Sequence, residues 1–283
     1  VIPTAFDYVR PDGVEEALAL LAGTPGARVL AGGQSLLPGL RTGEALPGGG
    51  PVRLLVDVTR LEGLRGTVRT AAGLRIGALT TLAELAADPL VLSEAPELAA
   101  AARANGDPQV RNLGTVGGNL AAPGRATDLP VAALAADALV ELAAPGGRST
   151  RTAEEFTATG APTDALVTAL LVPAAGAAGA FEKTADRATR YPVCAVAVRI
   201  TRHGPRIAVT GATARAVRLH GVEELLRDHD AYPTQEVLAA FRAQPRELFV
   251  PGRGTSAEYL GHLAGVLTAR ALTRALAAWT ALG

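Results

Sequence analysis

The apolar pair Val29-Leu30 leads without a spacer into A-G-G-Q-S-L, Ala31 to Leu36. A strand that ends on two consecutive glycines turns sharply there, because glycine adopts positive φ without a steric penalty. Two missing Cβ atoms also leave the backbone N–H groups open to close approach, which is what a diphosphate requires of a protein. On its own the stretch supports two readings, an ordinary Gly-Gly turn or an anion cradle. A second pair of glycines bears on the choice. Residues 114–120 read G-T-V-G-G-N-L, and D-L-P follows at Asp128 to Pro130.

The text between and around these loops alternates helix and strand signals. Val14, Ala17, Leu18, Leu20 and Leu21 stand at helical spacing after Asp12, with Glu15 and Glu16 in the first turn, so a helix capped by Asp12 is expected. It follows a first strand near Phe6. Strands are expected at 27–30 and 52–58, making a small βαβ-like lobe that holds the first loop, with 41–51 a flexible Gly/Pro-rich loop. A strand through I-G-A-L-T enters a helix near Thr81, and 96–104 forms an alanine-rich helix. Asp128 sits where an N-cap belongs, before a helix reaching Ala138. Strands at 139–142 and 165–172 follow, and A-A-G-A-A-G at 174–179 reads as a linker. Beyond it come strands at 193–201, 206–211 and 216–219, then helices at 222–228, 234–244 and 258–282. The expected domains are therefore 1–60, 61–175 and 180–283.

Composition narrows the function. With 283 residues, 48% of them hydrophobic, the chain can bury a large core, and a net charge of zero offers no basic face for nucleic acid or anionic lipid. No apolar run is long enough to span a bilayer and no leader pattern opens the sequence, so a cytoplasmic location and no membrane partner are expected. One cysteine, Cys194, cannot make an internal disulfide or ligate an iron–sulfur cluster. It lies in an apolar strand, as a small core residue does. His203, His220, His229 and His262 show no ligand spacing, so no metal site is expected on this chain. There is no G-x-S-x-G elbow and no G-x-G-x-x-G nicotinamide fingerprint. Lys183 is the single lysine among 27 cationic side chains, which marks a position wanting a compact ammonium or reflects chance.

The two glycine stretches, together with D-P-Q-V-R-N at Asp107 to Asn112 and S-A-E-Y-L around Tyr259, resemble the FAD-binding (medium) subunits and domains of the molybdenum hydroxylases. That family includes the carbon monoxide dehydrogenase medium subunit and the xanthine dehydrogenase FAD domain. The resemblance spans the chain. It implies an α+β fold, a two-lobed FAD-binding domain of the vanillyl-alcohol-oxidase/PCMH type followed by a small C-terminal domain of sheet and helices. It implies non-covalent FAD, since neither loop carries a histidine or cysteine that could attach the flavin. Val29, Leu30, Ala31, Gly32, Gly33, Gln34, Ser35 and Leu36, with Thr115, Val116, Gly117, Gly118 and Asn119, would hold the diphosphate. Asp128 would bind the ribityl chain, although helix capping explains its position equally, and Val167, otherwise a core valine, and Lys183 would lie near the ring. No catalytic residue is assigned.

Family resemblance further implies iron–sulfur and molybdopterin subunits as partners, with electrons passed to NAD, oxygen or a quinone. Two departures stand out. Pro123-Gly124-Arg125 replaces the family's small residue, Asp or Ser, and Pro, and Asn105 stands where an aliphatic residue is usual. Both places are close to the flavin ring in the family, so an altered ring environment is expected, with Arg125 bringing a cation toward it. Two alternatives follow: a stand-alone flavoprotein of specialised metabolism, an oxidase or a flavin-shaped cyclase for which a homo-oligomer is an option, or an FAD-free scaffold.

Overall fold

The structure, a computed structural model, describes residues 5–43, 50–122, 126–174, 178–229, 231–252 and 254–281. Three sheets organise it. The first is built from β1 (Asp7–Val9), α1 (Val14–Gly23), β2 (Ala27–Leu30), α2 (Leu36–Thr42) and β3 (Leu54–Asp57). Both β1 and β2 pair in parallel with β3, which lies in the middle and is buried along its whole length. Its L-L-V-D text is what a central parallel strand requires. Asp12 does not cap α1. The N-cap is Gly13, and the Asp12 N–H donates instead to Glu16 Oε2 at 2.8 Å. The loop expected at 41–51 is shorter at its start, because Arg41 and Thr42 end α2 and Gly43 closes it at φ 71°. Residues 44–49 of that loop lie outside the described residues.

The second unit comprises β4 (Thr67–Thr70), β5 (Gly73–Gly77), α3 (Leu82–Ala87), α4 (Pro89–Glu94), α5 (Pro96–Ala104), α6 (Pro108–Leu113), α7 (Val116–Leu120), α8 (Leu129–Ala135), β6 (Leu139–Ala144), β7 (Gly147–Thr152), α9 (Ala153–Thr159) and β8 (Leu166–Pro173). Its antiparallel sheet runs β4-β5-β8-β6-β7. Every residue of α8 is buried, which makes this helix the centre of the largest core cluster.

The third unit contains β9 (Ala178–Ala185), β10 (Pro192–Thr201), β11 (Gly204–Thr210), β12 (Val217–Arg218), α10 (His220–Leu225), α11 (Thr234–Arg242) and α12 (Ala257–Thr280). The antiparallel order is β12-β11-β10-β9, with α12 packed on β9 and β10. The expected linker is partly wrong. Ala178 and Gly179 belong to β9, while 175–177 lie outside the described residues. Gly179 is small for a packing reason, since a Cβ there would fall 1.8 Å from Glu97 Oε2.

That glutamate is fully buried on α5 and pairs with Arg199 of β10, whose Nε donates to Glu97 Oε1 at 2.8 Å. Arg199 also donates to the Glu94 carbonyl at 3.2 Å. The second and third units are thus joined by a dry ion pair as well as by apolar contact from Ala195 and Ala197 into the central cluster. Overall the architecture is α+β, as the sequence led one to expect. Among the described residues no helix is long and apolar enough to cross a membrane.

Candidate functional site

The first glycine loop leaves β2 at the carboxyl end of the parallel sheet, the edge at which open α/β sheets bind ligands. Gly33 turns the chain at φ +69°, and its carbonyl accepts from the Leu37 N–H at 3.0 Å to start α2. Gln34 folds back to donate to the Gly32 carbonyl at 3.0 Å. The N–H groups of Gly32, Gly33, Gln34 and Ser35 donate to no other described residue. Residues 31–37 are all half-buried, so these donors line a partly open surface.

The second glycine stretch differs from expectation. Val116 to Leu120 is not a turn but a short helix, α7, N-capped by Thr115, whose Oγ1 accepts from the Gly118 N–H at 3.1 Å. Val116 donates to the Thr80 carbonyl at 2.9 Å and Gly117 to the Ala78 carbonyl at 2.8 Å. The Asn119 N–H donates to the Thr115 carbonyl at 2.9 Å. The amides of 116–119 are therefore engaged within the chain, and none of these residues has positive φ. What the glycines supply is room. A Cβ on Gly117 would meet the Ala78 Cβ at 2.8 Å, whereas Gly118 is exposed and a Cβ there would meet only Thr115 Oγ1, at 3.0 Å.

The two stretches meet. A Cβ on Gly32 would lie 2.1 Å from the Leu113 carbonyl oxygen and 2.8 Å from Gly114 Cα, so the first loop lies directly on the peptide that enters the second. Gly32 is what permits that approach.

Asp128 lies just beyond. Its expected role as N-cap falls to Asn119, whose Oδ1 accepts from the Leu129 N–H at 3.0 Å, while Asp128 makes no cap bond. Thr127 Oγ1 ties the same turn down by donating to the Asn119 carbonyl at 2.8 Å. Relieved of capping, Asp128 points inward with its side chain 2% exposed, and Oδ2 accepts from Lys183 Nζ at 2.8 Å and from Asn105 Nδ2 at 2.9 Å. Lys183, on β9, is itself 6% exposed and also donates to the Ala104 carbonyl at 3.2 Å. Oδ1 of Asp128 is buried with no hydrogen-bond partner among the described residues. Burial pushes the carboxyl up to about 6, against the opposing pull of the Lys183 charge and the bonds from Lys183 and Asn105.

Val167 is half-buried on β8 opposite Leu142 and packs on the central cluster, and β8 also contacts α7. Cys194 is buried in β10 and its thiol is pushed up to about 12 by burial. His220 pairs with Glu154 at 2.7 Å and His229 with Glu236 at 3.1 Å. Among the described residues no group of three His, Cys, Asp or Glu side chains is placed to hold a metal ion. Arg125 and its neighbours Pro123 and Gly124 lie outside the described residues.

Residues 4–175 match the family described as the FAD binding domain in molybdopterin dehydrogenase. The chain belongs to this family. It is 34% identical over 97% of its length to 6-hydroxypseudooxynicotine dehydrogenase complex subunit alpha of Paenarthrobacter nicotinovorans, covering 95% of that protein. Identity is also 34% to the carbon monoxide dehydrogenase medium chain of Hydrogenophaga pseudoflava, over 99% of both chains. A solved structure of carbon monoxide dehydrogenase from Hydrogenophaga pseudoflava, lacking the Mo-pyranopterin moiety, superposes with a TM-score of 0.87 at 32% identity, covering 98% of this chain and 99% of that one. This is thus an FAD-binding oxidoreductase chain of the molybdenum-hydroxylase type.

The residues present fit the family's cofactor. A run of N–H groups without a described partner at a strand end suits a diphosphate, and a buried carboxylate oxygen lacking a donor suits an alcohol. The sequence singles out Asp128 and Lys183 but carries no sign of their direct contact, and nothing in it marks Asn119 as the cap of α8. Asn119 stands ten residues before the N–H it accepts from, outside the range of any local capping pattern.

Proposed function

We infer that this chain holds FAD without a covalent link and serves as the flavin subunit of a complex with iron–sulfur and molybdopterin chains, delivering electrons to NAD, oxygen or a quinone. Its relatives named as a medium chain and as a complex subunit support the multi-chain reading. The observation that carries the cofactor assignment is the convergence of the two glycine stretches at Gly32 and Leu113, where the N–H groups of Gly32 to Ser35 have no partner among the described residues.

In this assignment Val29 to Leu36 contact the diphosphate, with the N–H groups of Gly32 to Ser35 as its donors. Thr115, Val116, Gly117, Gly118 and Asn119 form the opposing wall, where Gly118 leaves space and Asn119 also fixes α8. Asp128 accepts from the ribityl chain. Val167 and Lys183 flank the ring. The three sheets support a division into 1–60, 61–175 and 180–283, with Lys183 crossing the last junction.

FAD, when bound, supplies the exchange between single-electron and paired-electron transfer that such a complex needs. The chain's own contribution is to bind and orient it and to keep a cation, Lys183, in a dry setting beside Asp128. No residue of this chain is assigned to proton transfer on a substrate.

The test is to saturate purified protein with FAD, remove the excess and precipitate with acid. FAD should appear in the supernatant at about one per chain. A colourless protein after reconstitution would overturn the cofactor site, and yellow colour retained in the pellet would overturn the non-covalent assignment.

A further inference from the structure

Asn105 closes α5 at its C-terminal end with an extended backbone, φ −77° and ψ 122°, and its side chain reaches Asp128 in the turn before α8. Its amide donates to Oδ2 of Asp128 at 2.9 Å, the oxygen that Lys183 reaches at 2.8 Å. Two donors from different units of the fold thus load one carboxylate oxygen and leave the other, Oδ1, buried and without a described partner.

The backbone of Asn105 is itself held. Arg111 of α6 donates from Nη1 to the carbonyls of Asn105 and Gly106, each at 3.1 Å, and Gly106 takes φ +49° to make the turn. A chain of contacts runs from Arg111 through the 105–106 peptide to the Asn105 amide and on to Asp128. The Asn105 backbone closes α5, but its side-chain amide takes no part in that cap and goes to Asp128.

We propose that Asn105 is a positioning residue for the cofactor: with Lys183 it pins Oδ2 of Asp128 and so presents Oδ1 as a fixed acceptor for an alcohol of the flavin's side chain. This rests on the assignment of Asp128 to the ribityl chain and adds the residue that sets its orientation. An aligned acceptor costs the ligand less ordering than one free to rotate.

A pH signature follows. Among the described residues Lys183 of β9 is the charged group set against Asp128, while the Arg111 guanidinium is engaged by the Asn105 and Gly106 carbonyls. Burial holds the Asp128 carboxyl at about 6 against the opposing effect of Lys183 and Asn105. An alcohol donating to Oδ1 favours the ionised carboxylate, so FAD affinity falls as pH drops through that value. Losing the Asn105 donor raises the carboxyl further and moves this fall to higher pH.

The experiment titrates deflavinated wild type, Asn105→Leu, Asn105→Ala and Asp128→Asn with FAD, following flavin fluorescence from pH 5 to 8.5. Circular dichroism of each apo-protein confirms folding. Asn105→Leu and Asn105→Ala should each weaken FAD about tenfold at pH 7.5, the loss expected for one hydrogen bond to a charged group, and shift the pH midpoint upward. Agreement between them assigns the effect to the lost donor and not to the bulk of leucine. If Asp128→Asn weakens FAD but both Asn105 variants keep the wild-type affinity and midpoint, the proposal fails while the Asp128 assignment stands. If Asp128→Asn also binds as wild type, the ribityl assignment fails and the proposal with it.

Discussion

Substituting Gly32 separates the two things the glycine stretches do. An alanine there would place its Cβ 2.1 Å from the Leu113 carbonyl oxygen, and 2.7 and 2.8 Å from Leu113 C and Gly114 Cα. All three are backbone atoms, so no side chain can move aside. Restoring a 3.0 Å contact requires the loops to part by about 0.9 Å, the difference between the two distances. Overpacking of this kind costs about 1–3 kcal/mol. For a chain of this size each kcal/mol lowers Tm by roughly 2–4 °C, so a fall of about 2–12 °C is expected in the apo-protein. FAD affinity should fall with it, because the loops would no longer face each other correctly. Gly118→Val is the contrast. Its Cβ meets only Thr115 Oγ1 at 3.0 Å, and it stands in a helix, where replacing glycine is within about 1 kcal/mol of neutral. This variant should keep its Tm and lose FAD. Differential scanning calorimetry on apo-protein and fluorescence titration with FAD measure both. Wild-type Tm and FAD affinity in Gly32→Ala would refute the claim that the loops are in backbone contact.

Three further outcomes follow from the buried polar groups. Glu97→Gln or Arg199→Met leaves the other half of a dry ion pair uncompensated and should destabilise the protein by about 3–5 kcal/mol, read from urea unfolding. Cys194 should resist thiol reagents at pH 8 until denaturant is added, because it is buried and its thiol is pushed up to about 12; labelling in the native state as fast as in denaturant would contradict its placement. Asp57 lies at the end of β3, where burial works against ionisation but bonds from Thr59, Tyr8 and Arg10 hold it at about 2. Its folded value lies below the ordinary 3.8, so its contribution to stability is full above that pH and is lost as pH falls toward 2. Asp57→Asn should therefore flatten the acid limb of the stability curve while lowering stability at pH 7.

The sequence disclosed most where side-chain pattern and backbone demand coincide. Gly-Gly after Val29-Leu30 marks a turn in any fold, and the buried strands at 54–57 and 166–173 carry long apolar runs. Strands β4 and β7 were not legible, because T-V-R-T and G-R-S-T-R-T lie at sheet edges with exposed side chains and no alternation to read. The 174–179 stretch misled for a different reason. Its small residues suggest a linker, yet Gly179 is small because Glu97 presses on it from a helix far away in sequence. At the site, Gly117-Gly118 repeats the Gly-Gly pattern of the first loop, but Thr115 caps a helix there, and the Thr80 and Ala78 carbonyls and Thr115 itself take up the donors. Asp128 looked like a cap because it precedes Leu129-Pro130, and only the fold shows Asn119 doing that work. Contacts between distant segments, such as Lys183 and Asn105 with Asp128, carry no local signal.

The central claim is that this chain works inside a molybdenum- and iron-containing assembly, and affinity purification of the tagged chain from its native cells, followed by metal and flavin analysis of what co-purifies, tests it most directly. The account predicts FAD together with iron and molybdenum, carried by additional chains, at fixed ratios across the elution peak. A flavin-loaded preparation free of both metals and of other chains, from cells shown to express the activity, would contradict it and leave a flavoprotein acting alone.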